Sequence, residues 1–200
     1  MTTTPEKTSI ALPANHVPGP KQGHWTYAEY ARLADDGNRY EIMNGVLIMA
    51  PAPSLDHQGI SALLTYYLLQ AVQFTGLGRV LPAPVDVELT PERVVQPDVL
   101  VLLNVHLHRM AVKKVVGAPD LVVEIASPGT AIYDRLSKYD AYEAAGVLEY
   151  WLVTPEEQSV EVVVLEQGSY QSSGVFKGSD ILPSRIAPEI ASVHVKQFFV

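Results

Sequence analysis

The sequence predicts an α/β (α+β) fold in which a mixed central β-sheet is flanked by helices. Residues 94–103 and 121–126 form two nearly continuous apolar runs, which is typical of buried strands. Apolar residues recur at helical spacing over residues 55–75, and a second helical pattern covers 131–145. The chain has 200 residues, 48% of them hydrophobic and 18% charged. It is therefore long enough to bury one core of ordinary size.

The N-terminal part is predicted to contain a flexible arm followed by one domain. Residues 1–22 carry four prolines and scattered threonines and serines, a composition typical of a mobile segment. Thr26 is followed three residues later by Glu29, and this capping-box spacing predicts the start of a short helix. Residues 23–200 show no further linker, so we expect them to form a single domain.

A β-hairpin and a long helix are expected next. Asn44-Gly45 separates two apolar runs, 39–43 and 46–49, and this dipeptide is the strongest short-range signal for a hairpin. The helix over residues 55–75 follows and is ended by Gly76.

The second half of the chain is predicted to be mostly strands, with one helix. Residues 131–145 form this helix, which Gly146 ends. Alternating or continuous apolar residues indicate strands on both sides of it. Besides the two buried runs, the predicted strands are 85–89, 149–153, 160–165 and 170–176.

Composition excludes several classes of function. The chain has no cysteine, which rules out disulfides, thiolate metal sites and a cysteine nucleophile. Its net charge of −8 argues against broad nucleic-acid binding, since phosphate contacts need clustered Lys and Arg, although a local basic patch is compatible with it. No apolar run approaches the roughly 18 residues of a membrane span, and the N-terminus does not resemble a secretory signal. We therefore expect a cytoplasmic protein without membrane contact.

Two acidic residues, Asp98 and Glu124, lie inside otherwise apolar strand segments. An ionised carboxylate is costly to bury unless something pairs with it, and a metal ion is one such partner. Asp98 directly follows Pro97, which marks a strand edge or a bulge because proline cannot donate to the ladder. A purely structural interpretation stays open, in which Asp98 caps a turn and Glu124 pairs with an arginine.

Lys138 lies in the predicted helix after Glu124, on the same face as Asp134 and Tyr142. Two interpretations are open for this lysine. It either projects toward the sheet edge that holds Glu124 or forms an exposed pair with Asp134, which would contribute little to stability.

Several segments in a fixed order resemble the Uma-two (Uma2) family, whose members are described as putative restriction endonucleases with the PD-(D/E)xK nuclease fold. The resemblance covers about residues 25–195. Its most specific part is Val-Glu-Ile-Ala-Ser-Pro followed by Glu-Tyr-Trp-Leu-Val. The segments that carry it are residues 40–45, 54–58, 96–99, 119–128, 134–147 and 149–153.

The resemblance implies a role for each matching residue. Asp98 and Glu124 correspond to the two acidic metal ligands, with Mg²⁺ (or Mn²⁺) as the cofactor. The usual lysine two residues after the second acid is replaced by Ala126, and Lys138 matches a lysine that has moved to the following helix.

Two upstream residues complete the implied site. Glu41 and His57 match the family's upstream acidic residue and its His-Gln element, which face the same cleft. His57 also stands at a predicted helix start, where a histidine is more often a cap or a surface residue.

The predicted function is therefore Mg²⁺- or Mn²⁺-dependent cleavage of DNA phosphodiester bonds, and the resemblance also implies a homodimer. The alternative is a catalytically silent protein that keeps the fold and serves in binding or assembly. The net charge of −8 and the alanine at position 126 favour that alternative. RNA or a structured junction is an equally open substrate.

Overall fold

The computed structural model describes residues 11–127 and 137–199. Strands make up most of the regular structure within these ranges, and the mixed α+β class is confirmed. In chain order the elements are β1 (Leu12–Pro13), α1 (Tyr27–Tyr30), β2 (Arg39–Met43), β3 (Val46–Ala50), α2 (Leu55–Leu68), β4 (Gly78–Pro82), β5 (Asp86–Thr90), β6 (Arg93–Val95), β7 (Val99–Leu103), β8 (Lys114–Val116), β9 (Leu121–Ile125), α3 (Tyr139–Ala145), β10 (Glu149–Thr154), β11 (Ser159–Glu166) and β12 (Ser169–Lys177).

The strands form two six-stranded sheets rather than the single central sheet that we expected. The first sheet has the order β1-β3-β2-β6-β5-β8 and the second β12-β11-β10-β9-β7-β4. Both are mixed, since β5 and β8 pair in parallel in the first sheet and β9 and β10 do so in the second. The predicted strand over 94–103 is divided at residues 96–98, with β6 in the first sheet and β7 in the second. Pro97 has no N–H to give to a ladder, so the chain leaves one sheet here and enters the other.

The predicted hairpin is confirmed as β2 and β3. Its register runs from Arg39 opposite Ala50 to Met43 opposite Val46, with Asn44-Gly45 as the two-residue loop. Both loop residues have positive φ, 51° for the asparagine and 75° for the glycine. Such angles define the tight turn that matches the twist of the flanking strands.

Residues 11–22 belong to the folded body, which corrects the predicted flexible arm over this stretch. Strand β1 pairs with β3, placing Leu12 opposite Met49. The Ala14 N–H donates to the Leu47 carbonyl at 2.8 Å, and the Gln22 side chain accepts from the Leu47 N–H at 2.8 Å. Because β1 covers the edge of β3, fewer backbone groups of β3 stay unpaired, and these hydrogen bonds hold residues 11–22 in place. Residues 1–10 lie outside the described part of the chain.

The two longer helices match their predictions in position. Helix α2 begins after Ser54, whose Oγ accepts from the His57 N–H at 3.2 Å, and it continues as a π-helix over Leu69–Gln73. Helix α3 ends at Gly146, which has a φ of 86° and so adopts the left-handed cap. Residues 131–136 of its predicted start lie outside the described residues. Among the described helices, none is long and apolar enough to cross a membrane.

The second sheet lies at the centre, with a layer on each face. Helix α2 and the C-terminal residues 182–198 cover one face, where Leu64 and Phe198 pack on Val123 and Trp151. The first sheet and α3 cover the other face, and their buried side chains form a second cluster there. This arrangement puts β9 at the point where both sheets and α3 meet.

Candidate functional site

Asp98 and Glu124 are placed side by side by the pairing of two central strands. β7 pairs antiparallel with β9, and the last paired residues are Val99 and Val123. One step further along this register, Asp98 stands opposite Glu124, and side chains opposite each other share a face. The Ile125 N–H donates to Asp98 Oδ2 at 2.8 Å and fixes that carboxylate at the strand end. Both acids are buried.

Lys138 reaches this pair of acids from the adjacent helix. Its Nζ lies 3.0 Å from Oε1 of Glu124 and 3.0 Å from Oε1 of Glu41. The side chain is buried, so the alternative of an exposed surface pair does not describe it. Asp134, the partner in that alternative, lies outside the described residues. Tyr142, one turn further along, donates to the same Glu124 oxygen at 2.6 Å.

Glu41 connects the first sheet to this site. It lies on β2 and is buried, with its Oε1 accepting from the Gln96 N–H at 2.7 Å as well as from Lys138. Gln96 belongs to the crossing segment that also carries Asp98, so one hydrogen bond ties the crossing segment to β2. The predicted position of Glu41 in the same cleft agrees with this geometry.

His57 lies at the start of α2 and contacts the site through its ring. Its Nε2 is 3.1 Å from Asp98 Oδ2, while its backbone N–H joins the Ser54 cap. Burial raises the pKa of Asp98, but the hydrogen bond and charge of His57, the Ile125 N–H and the Lys138 charge together lower it below its ordinary value. Asp98 is therefore a carboxylate near neutral pH despite its burial.

Tyr142 holds its proton at the same place. Burial and the nearby charges of Glu124 and Glu41 raise its pKa well above the ordinary value of 10. The phenol therefore stays a hydrogen-bond donor to Glu124 near neutral pH. Sequence reasoning did not single out Tyr142 as a site residue, although its spacing of four from Lys138 on one helix face could have done so.

A cavity of about 60 Å³ opens among these residues. Since about 10–15 Å³ of such volume holds one water, the cavity has room for a few waters or a hydrated ion. All five predicted site residues line it, and Arg39 and Gln96, which the sequence did not single out, line it as well. The five are Glu41, His57, Asp98, Glu124 and Lys138.

The donor set suits a hard cation that brings most of its own ligands. Hydrogen bonds from the described residues to the Asp98 carboxylate end on Oδ2, which leaves Oδ1 for another partner. Within residues 11–127 and 137–199, no three His, Cys, Asp or Glu side chains are arranged to hold a metal ion. A site with two carboxylates fits Mg²⁺, which keeps several waters and takes substrate phosphate oxygens, better than it fits a metal enclosed by protein ligands.

Ala126 occupies the position two residues after Glu124. Its side chain is buried in the cluster that includes Ala141 and Tyr142 of α3. The helix therefore packs against the strand at this position, and Lys138 at its start places an ammonium group beside Glu124.

Comparison with solved structures identifies the class of fold. The chain is similar to the crystal structure of a putative nuclease belonging to DUF820 from Anabaena variabilis, with a TM-score of 0.70 and 23% sequence identity. The match covers 87% of this chain and 97% of that one. The two proteins thus share a fold.

A family model identifies the chain more specifically. The model named Uma2, "Putative restriction endonuclease", matches residues 27–195, so the chain belongs to the Uma2 family. No curated protein matches the chain. The family and the fold together support a nuclease, as the sequence predicted.

Proposed function

We propose that this protein is a metal-dependent endonuclease that hydrolyses DNA phosphodiester bonds. Asp98 and Glu124 are the proposed ligands of Mg²⁺ (or Mn²⁺), and Lys138 is the proposed catalytic lysine. One observation carries the proposal: the Lys138 ammonium lies 3.0 Å from Glu124 Oε1, in a cavity that Asp98 also lines. Membership of the Uma2 family supports it further.

Each side chain has a distinct task in the proposed reaction. A bound cation would supply charge stabilisation to the phosphate and lower the pKa of a bound water. Asp98 and Glu124 supply carboxylate oxygens, and His57 and Tyr142 fix the orientation of these two groups by hydrogen bonds at 3.1 Å and 2.6 Å. The Lys138 Nζ donates hydrogen bonds to the phosphate oxygens, on which negative charge develops.

Glu41 positions the lysine in this scheme. It shares the Lys138 ammonium with Glu124, and its own carboxylate is held by the Gln96 N–H at 2.7 Å. A lysine side chain loses much rotamer freedom when two partners hold its end, so the group is oriented before substrate arrives.

Isosteric variants test the proposed ligands. Asp98→Asn and Glu124→Gln remove charge and keep size, so each should abolish metal-dependent cleavage of DNA while the protein stays folded. The matched control is Glu166→Gln, an exposed acid that pairs with Arg185 at the surface, and this variant should cleave normally. Cleavage of plasmid and linear DNA in Mg²⁺ or Mn²⁺, against EDTA, is the assay, with circular dichroism as the check on folding. The same assay with RNA distinguishes the two nucleic acids.

The rival function is a catalytically silent binding or assembly protein with the same fold, and the net charge of −8 favours it. Wild-type protein that cuts no nucleic acid and shows no uptake of Mg²⁺ or Mn²⁺ by calorimetry would establish the rival and end the enzyme proposal. The proposed homodimer is tested separately by light scattering, where a monomer mass at micromolar protein would contradict it.

A further inference from the structure

Arg39 enters the cavity from the same strand face as Glu41. The two residues are two apart on β2, so their side chains point to one side of the sheet. Their partners on β3, Ala50 and Ile48, also line the cavity. Arg39 is half-buried and so combines a fixed position with access to solvent.

The guanidinium is held from one side by Gln96. Arg39 Nε donates to the Gln96 Oε1 at 3.1 Å, and Nη2 donates to the Gln96 carbonyl at 3.2 Å. The Gln96 Nε2 donates in turn to Asp86 Oδ1 at 2.8 Å and to the Tyr30 hydroxyl at 3.1 Å. Because both hydrogens of the amide are engaged, its oxygen is directed at Arg39.

No carboxylate of the described residues neutralises Arg39 directly. Within the described residues it makes no ion pair, and its hydrogen bonds there go to the neutral groups of Gln96. A guanidinium has five N–H donors, so three remain after these two bonds. Lys138, the other Lys or Arg among the described residues that line the cavity, already donates to Glu41 and Glu124.

We propose that Arg39 is a substrate-binding residue that takes a backbone phosphate of the nucleic acid, with Gln96 as its positioning residue. This inference rests on the proposed nuclease function. A chain with a net charge of −8 and three acids at its cavity needs a local cation to bring phosphate close. Arginine suits this task, because its planar fork makes paired hydrogen bonds to phosphate oxygens and stays charged.

Equilibrium binding without cleavage tests the inference independently of catalysis. A fluorescein-labelled duplex oligonucleotide is titrated with protein in EDTA at several salt concentrations, and anisotropy reports the Kd. Arg39→Gln should weaken binding about tenfold, the effect of one lost charged hydrogen-bonding group. The slope of log K against log salt should fall by about 0.9, the value for one phosphate contact. The matched control Arg93→Gln removes the same charge from an arginine that is also half-buried, contacts Asn44 and does not line the cavity, and it should keep the wild-type slope.

Kinetics and a double variant separate binding from positioning. In Mg²⁺, Arg39→Gln should raise KM about tenfold and change kcat less than about twofold, because the contact exists in both the ground and transition states. Gln96→Met should raise KM less, and the Arg39→Gln/Gln96→Met double variant should bind no more weakly than Arg39→Gln alone. Additive losses in the double variant would overturn the positioning role of Gln96.

The outcomes are distinguishable. If wild-type protein cleaves but Arg39→Gln keeps its Kd, KM and salt slope, this inference is overturned and the nuclease function stands. If wild-type protein neither binds nor cleaves, the proposed function fails and the inference falls with it. If Arg39→Gln does not fold, Arg39→Lys tests the inference in its place, since the point charge of a lysine cannot make the paired hydrogen bonds of the guanidinium. Weaker binding by folded Arg39→Lys supports the inference, and wild-type binding overturns it.

Discussion

Replacing Lys138 with methionine tests the geometry of the site through stability. The substitution keeps most of the side-chain volume and removes the ammonium that Glu41 and Glu124 share. Both glutamates are at most 4% exposed, so the loss of the ammonium leaves each carboxylate buried without this ion pair. Removing one partner of a buried ion pair costs about 3–5 kcal/mol. For a domain of this size 1 kcal/mol corresponds to about 2–4 °C, so the Tm should fall by about 6–20 °C in EDTA.

Two matched variants separate this effect from a general loss of charge. Lys177→Met removes a surface lysine that pairs with Glu157, both half-exposed or more, and should cost at most about 1 kcal/mol. In Glu41→Gln/Lys138→Met one of the two carboxylates that lost the ammonium is neutralised, so this double variant should be more stable than Lys138→Met alone. Thermal and urea unfolding in EDTA measure both comparisons.

The same variant tests the proposed chemistry. Lys138→Met should reduce DNA cleavage about 10²–10⁴-fold, the range for removing a group that transfers or stabilises a proton or charge. Its uptake of Mn²⁺ by calorimetry should persist, since both proposed ligands remain. A Tm within about 2 °C of wild type would refute the buried ion-pair geometry, because it corresponds to at most about 1 kcal/mol. Cleavage near the wild-type rate by folded Lys138→Met protein would refute the role of the lysine.

Three further predictions follow from single contacts. His57→Phe removes the hydrogen bond and charge that lower the pKa of Asp98, so this carboxylate should take up its proton at a higher pH. Acid unfolding, followed by circular dichroism, should therefore begin at a higher pH than in wild type. An unchanged pH of acid unfolding would contradict this. Tyr142→Phe removes the 2.6 Å hydrogen bond to Glu124 and should lower the free energy of unfolding, measured in urea, by about 1.5–3 kcal/mol. An unchanged free energy of unfolding would show that water replaces the phenol. Gly45→Ala would place Cβ against the Gly23 carbonyl oxygen at a residue with positive φ, so it should lower the Tm. A variant as stable as wild type would contradict the turn geometry.

Alternation and spacing predicted the parts of the site that lie on single elements. The apolar run over 121–126 predicted the strand that carries Glu124, and Asn44-Gly45 predicted the hairpin that carries Glu41. The resemblance supplied the link between Glu124 and Lys138, which are 14 residues apart and meet at 3.0 Å. Local periodicity alone favoured an exposed surface pair with Asp134 for this lysine.

The sequence could not show how the two sheets are joined. The nearly continuous apolar residues over 94–103 predict one strand, because a buried strand of either sheet has the same apolar pattern. The change of sheet at residues 96–98 depends on the pairing of β6 with β2 and of β7 with β9, two strands that are distant in sequence. Arg39 was missed for the same reason, since its role arises from contact with Gln96, 57 residues away. The folded structure of residues 11–22 likewise depends on a distant contact, the pairing of β1 with β3.

Anomalous diffraction from crystals soaked in manganese tests the central claim most directly. The proposal is that Asp98 and Glu124 share one divalent cation beside the Lys138 ammonium. We expect one anomalous peak in the cavity, within coordination distance of a carboxylate oxygen from each acid, and its loss in Asp98→Asn crystals. A peak that contacts only one of the two acids, or a cavity without a peak at saturating manganese, would contradict the account.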